Sequence, residues 1–195
     1  MGAYGVLAAG AIILAFLAFI FAIAAYVVGS FFMMKIFEKA GVQGKWRAWV
    51  PVYNTMILGK LGDLSPWIML GGIVVAAVLG QIDYIGFLFS LVAVAIAVAA
   101  SWRVGLKFGQ EWYLLLLWLI PGLGTLIWLG ILAFGNKTWN PNIAPAPWAN
   151  VAWLRDSTVW DGIPVQPQAA AAGPAAPPAA PAPAQDDEGP AAPTA

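Results

Sequence analysis

The sequence predicts an all-α membrane protein with about four transmembrane helices, one short interfacial amphipathic helix and a disordered C-terminal tail. Three observations predict this. Gly2 to Met34 contains no charged residue, a run longer than the roughly 20 apolar residues that carry a helix across a bilayer. The chain is 62% hydrophobic and 9% charged, a balance far from that of soluble domains. Five of the nine Lys and Arg residues fall between Lys35 and Lys60, and a basic cluster behind a span marks the cytoplasmic side.

The first span is placed at residues 7–34. Ala22-Ile23-Ala24 offers a small-x-small cleavage site, but a signal peptide has a basic region ahead of a short apolar core, and nothing before Lys35 is charged. The segment is therefore expected to be retained, with its N-terminus exoplasmic. In the hydrophilic connection that follows, Trp46, Trp49, Tyr53, Met56 and Ile57 recur at helical spacing and Pro51 suits a first helical turn. This predicts an interfacial helix over 51–61.

Between Pro66 and Trp102 the only charge is Asp83. Two short crossings, 66–81 and 84–102, keep the Lys35–Lys60 cluster and the Arg103, Lys107 pair on one side, whereas a single crossing would separate them. Gly80 to Gly86 supplies the turn. The last span is placed at 112–134, with Pro121-Gly122-Leu123-Gly124 at its middle; such local unwinding is tolerated where other helices or water satisfy the backbone. A re-entrant hairpin is the competing reading, and it would leave the C-terminus inside. The helical domain is thus 1–136, followed by a Trp-rich juxtamembrane segment over 137–164. Residues 165–195, mostly Ala and Pro, are expected to be a disordered exoplasmic tail. Lys60-Leu61-Gly62-Asp63 before Trp67 resembles Lys107-Phe108-Gly109 before Trp112; shared membrane-boundary chemistry and a parallel duplication of two helices each both account for this.

Cys and His are absent, which removes thiol and imidazole catalysis, the Ser-His-Asp triad and most zinc and haem ligand sets. No catalytic, cofactor-binding or metal site is assigned. The zero net charge gives no reason to expect nucleic acid. Candidate polar or structural residues are Pro51, Tyr53, Asn54 and Asp83. Asn54 can tie the interfacial helix to a neighbouring span, and Asp83 reads as an exposed turn carboxylate. Lys35, Lys39, Lys45, Arg47, Lys60, Arg103 and Lys107 are candidate lipid-headgroup contacts. Trp139, Trp148, Trp153 and Trp160 are candidate anchors at the outer interface.

The run Ala40-Gly41-Val42-Gln43-Gly44-Lys45-Trp46-Arg47-Ala48-Trp49-Val50-Pro51-Val52-Tyr53-Asn54 resembles the DUF5684 family of small bacterial membrane proteins. The likeness continues through Leu58-Gly59-Lys60, Val104 to Gly109, Leu119-Ile120-Pro121 and Leu132 to Gly135. The family's usual Pro and Asn in the second span are missing near Val78 to Gln81, and the Trp-rich stretch and tail lie outside its pattern. The resemblance implies a compact helical membrane domain and supplies no activity. The sequence thus points to a non-enzymatic accessory or scaffold subunit of a plasma-membrane complex, with membrane lipids and a membrane protein or a second copy as partners. The alternative is a small transporter or channel component for an apolar or zwitterionic substrate.

Overall fold

The computed structural model describes residues 2–168. Among them the chain is all-α, with five α-helices, two 3₁₀ helices and no strand. These are α1 (Ala3–Lys39), a first 3₁₀ helix (Lys45–Trp49), α2 (Tyr53–Leu61), α3 (Pro66–Leu79), α4 (Asp83–Lys107), a second 3₁₀ helix (Trp112–Leu119) and α5 (Leu123–Phe134).

Two helices, rather than the four expected, are long and apolar enough to cross a membrane: α1 and α4. At about 1.5 Å per residue, α3 with 14 residues and α5 with 12 fall short of the roughly 30 Å hydrocarbon core. The segment 112–134 is not one continuous helix. Ile120 is extended and Gly122 has φ +73°, so the chain turns back at Pro121-Gly122. The chain on either side of it meets again: Lys137 Nζ donates to the Gly109 carbonyl and Asn140 N to Lys107 O at 2.8 Å, while Lys39 Nζ of α1 holds the end of α5 through the carbonyls of Leu132 at 3.0 Å and Gly135 at 2.7 Å. The break expected at Pro121–Gly124 is therefore a reversal of the chain, the hairpin of the competing reading, and not a local unwinding within one span.

The Trp-rich segment 137–164, expected on the side opposite the basic loops, instead folds back over the end of the bundle where those loops lie. Ser65 N donates to Leu154 O at 2.7 Å and Gln43 N to Gly162 O at 2.7 Å. Ile163 is buried within this segment, and Gln166 is buried at the start of the expected disordered tail, which is packed there. The remainder of that tail lies outside the described residues. The core occupies this same end, built from Ile36, Phe37, Ile57, Leu61, Val104, Phe108, Trp128 and Leu132. The N-terminal part of α1 projects beyond it with its large apolar side chains exposed.

The helix ends show why the chain turns where it does. After α1, Gly41 (φ +78°) lets Val42 N reach Phe37 O at 2.9 Å, and after α4, Gly109 (φ +62°) lets Gln110 N reach Gly105 O at 2.9 Å. These are left-handed helix caps that favour glycine. After α2 the same cap is built on Asp63 (φ +60°), with Leu64 N on Gly59 O at 2.9 Å.

The two halves of the bundle repeat one another. Each runs from a long helix through a left-handed glycine and a 3₁₀ helix to an X-Pro turn and a short helix. At the turns, Val50 (φ −95°, ψ 111°) matches Ile120 (φ −93°, ψ 101°), and Val52 (φ 66°, ψ −51°) matches Gly122 (φ 73°, ψ −60°). Tyr53 N donates to Pro51 O at 2.7 Å and Leu123 N to Pro121 O at 2.8 Å, the i to i−2 bond of a positive-φ γ-turn, which is rare and strained. The short helices are exchanged, α1 packing on α5 and α4 on α2. Lys39 and Lys107 correspond, and each caps the exchanged helix: Lys39 on Leu132 and Gly135, Lys107 on Leu61 O at 2.7 Å. The halves run in the same direction, and α3 joins them. The similarity expected between the segments after Lys60 and Lys107 thus gives way to a different correspondence, Lys39 with Lys107 and Pro51 with Pro121.

Candidate functional site: a buried charge cluster and an apolar cleft

The polar end of the bundle encloses five charged side chains, Lys60, Asp63, Arg103, Lys107 and Asp156, each no more than 3% exposed. The helix cap that turns the chain after Leu61 also aims the Asp63 carboxylate inward. Asp63 Oδ2 accepts from Arg103 Nε at 3.1 Å and Nη2 at 2.7 Å, and Oδ1 from Lys107 Nζ at 2.7 Å. Lys107 also donates to Gln166 Oε1 at 2.8 Å. Alongside, Lys60 donates to Asp156 Oδ2 at 2.7 Å and to Thr158 Oγ1 at 2.9 Å. Trp148 Nε1 closes on the Asp63 carbonyl at 2.9 Å. Buried charges of this kind are tolerated because each is paired and hydrogen-bonded, and here the partners come from both the helices and the C-terminal arm.

This placement changes the reading of several candidate residues. Lys60, Arg103 and Lys107 face acids inside the protein, so they do not present ammonium or guanidinium groups to lipid headgroups. Lys35 and Lys45 lie at the surface around Glu38, at 3.3 and 3.4 Å, while Lys39 caps α5. Arg47 donates to Tyr53 Oη at 3.3 Å and to the Asp161 carbonyl at 2.7 Å. Trp139 packs edge-on against Phe108 at 5.0 Å, Trp148 lies against Trp102 at 6.4 Å, and Trp160 stacks on Tyr53 at 5.5 Å. Three of the four Trp residues therefore hold the arm to the bundle, and Trp153 alone among them is 67% exposed. Pro51 is exposed at its turn, and Asp83 is exposed at the start of α4. Tyr53 is stacked between Trp46 and Trp160.

Asn54 donates through Nδ2 to Ala48 O at 3.1 Å and borders a second feature, an apolar cleft of about 240 Å³. Corresponding positions of the two halves line it: Gly29 and Ala97, Met33 and Ser101, Thr55 and Thr125, Leu58 and Trp128. Tyr26, Ser30 and Trp118 add further polar groups to its lining. Ser30 and Ser101 are 2% and 0% exposed, and Ser30 Oγ, Ser101 Oγ and Trp118 Nε1 have no hydrogen-bond partner among the described residues. No Lys, Arg, Asp or Glu lines the cleft.

No family model, curated protein or solved structure matches this chain.

Sequence reasoning missed Asp63, Asp156 and the cleft serines. For Asp63 a signal was present, since Leu-Gly-Asp at a helix end puts an acid where glycine is usual. For Ser30 and Ser101 there was none, because single serines in apolar helices are commonplace.

Proposed function

We propose that this protein is a non-enzymatic accessory or scaffold subunit of a bacterial plasma-membrane complex. The observation that supports the reading is the closed charge cluster: Lys60, Asp63, Arg103, Lys107 and Asp156 spend their hydrogen bonds on one another and on the arm. What they achieve is a fixed Trp-bearing surface at the polar end. The concentration of Lys and Arg there favours a cytoplasmic placement with the start of α1 outside. The arm is then cytoplasmic, the reverse of the sequence expectation. A multi-pass insertion and membership of the DUF5684 family belong to the same proposal, and that family brings no activity with it.

Co-purification of the full chain from mild detergent tests the reading. We expect a stoichiometric protein partner, and a weaker yield of it from Trp153→Ala, a surface change that leaves the cluster intact. Recovery of a lone homo-oligomer overturns the accessory role. Topology is checked separately in this Cys-free chain: Cys placed at Lys45 or Trp153 should resist labelling from outside intact cells, and Cys at Asp83 should label.

A small transporter or channel component for an apolar or zwitterionic substrate is the second reading. It is favoured by the cleft between two parallel halves, a common location for substrate sites in membrane transporters.

A further inference from the structure

We infer that the cleft between the halves is a binding site for an uncharged, lipid-soluble molecule that presents a carbonyl oxygen to Ser30, Ser101 and Trp118. This inference concerns what occupies the cleft and holds under the accessory reading and under transport of an apolar substrate, but not of a zwitterionic one.

Buried polar groups in folded proteins nearly always have a partner, and leaving one unpaired is costly. Three unpartnered atoms on residues that line one cleft, Ser30 Oγ, Ser101 Oγ and Trp118 Nε1, therefore call for a ligand that supplies what the protein withholds. The indole N–H only donates, and each hydroxyl can donate, so the shared need is for an acceptor. Three other polar groups around the cleft are already engaged: Tyr26 Oη donates to Trp49 O, Asn54 Nδ2 to Ala48 O and Thr55 Oγ1 to Val52 O at 2.6 Å.

Charge and size narrow the class. With no charged side chain on the lining, an ionised ligand would lose its hydration without gaining a counter-ion. Met33, Leu58, Met69, Trp128 and Leu129 supply apolar walls. A cavity of about 150 Å³ holds benzene; at about 240 Å³ this one accommodates a substituted ring or a short stretch of chain with its carbonyl, and the rest of a larger lipid would extend outside. Two membrane sources offer that chemistry, the ring ketone of an isoprenoid quinone and the ester carbonyl of an acylglycerol.

The test uses the full-length protein in mild detergent, with thermal unfolding followed by far-ultraviolet circular dichroism, because a ligand that binds only the folded state raises Tm in a saturable way. Decylubiquinone and monoolein are the two carbonyl probes, and decane at the same mole fraction is the carbonyl-free control. We expect one of the two to raise Tm saturably, which identifies the source, while decane does not. In Ser30→Ala/Ser101→Ala the midpoint should weaken about tenfold or more, as expected for two lost hydrogen bonds, while Tm without ligand is unchanged or higher because two unpaired hydroxyls have been removed. Ala97→Phe, which fills the cleft, should abolish the response. The inference is overturned if neither carbonyl probe acts saturably, if decane acts as well, or if the double variant keeps the native midpoint. Collapse of the ligand-free double variant would also overturn it, since the hydroxyls would then have had partners within the protein.

Discussion

Val52 and Gly122 occupy corresponding places in the two halves, in the same sparsely populated backbone region, yet only one of them is glycine. At Gly122 the absence of a Cβ makes positive φ readily accessible. At Val52 a β-branched residue is held at φ 66°, a conformation that costs on the order of 1–3 kcal/mol, beside a Tyr53 ring stacked between Trp46 and Trp160 and an Asn54 side chain bonded to Ala48 O. The lysine caps differ in a parallel way. Lys39 bonds two carbonyls at a partly exposed position, whereas Lys107 is fully buried and depends on Asp63. One architecture is thus maintained twice by different means: the second half turns on glycine, and the polar end of the first is tied into the charge cluster.

Breaking the cluster should have the largest effect. Asp63→Asn leaves Arg103 and Lys107 buried without their carboxylate and should destabilise the protein by about 3–5 kcal/mol, measured by denaturation in detergent; a change under about 1 kcal/mol would mean that water reaches the site. Next comes Gly124→Ala. A Cβ there would lie 1.6 Å from Leu117 O, where α5 doubles back on the 3₁₀ helix, so we expect a loss of about 3 kcal/mol. The corresponding Asn54 carries a side chain without such a clash, which makes this substitution a sharp probe of how the halves differ. Lys39→Met should cost only about 1 kcal/mol, because Lys39 and Gly135 are only half-buried, so that water can take over part of the ammonium's role. If it equals Asp63→Asn in cost, the two caps are energetically alike. The smallest expected effect is a gain. Val52→Gly should stabilise by about 0.5–1 kcal/mol, relief of strain exceeding the added freedom of the unfolded chain and the loss of a side chain at the surface, since Val52 is 37% exposed. A fall in Tm would show that packing, rather than strain, governs that turn.

Much of the helical fold was legible from apolar runs and turn residues. The two long helices follow from uninterrupted hydropathy, and the break at Pro121-Gly122 is visible in the sequence. Its direction was not: Pro121 says that the helix is interrupted, but whether the chain continues across or returns depends on Lys39 and Lys107 meeting the far ends of α5 and α2, contacts between residues remote in sequence. The repeat was hidden for a related reason. Lys39/Lys107, Pro51/Pro121 and Thr55/Thr125 match, but the intervening apolar residues interchange freely, and the second 3₁₀ helix is longer.

Composition and hydrophobic patterning by themselves determined the helical class, the two long apolar helices and the absence of thiol and imidazole chemistry, because these depend on residue type and local period. Tertiary structure alone decided the roles of the charges. Lys60, Arg103 and Lys107 read as surface basic residues until Asp63 and Asp156 are seen to enclose them. Serines that look incidental in α1 and α4 become the polar lining of one cleft only when the exchanged helices bring the halves together. A charge or hydroxyl takes its energetic meaning from its partner and its access to water, and neither is written in local sequence.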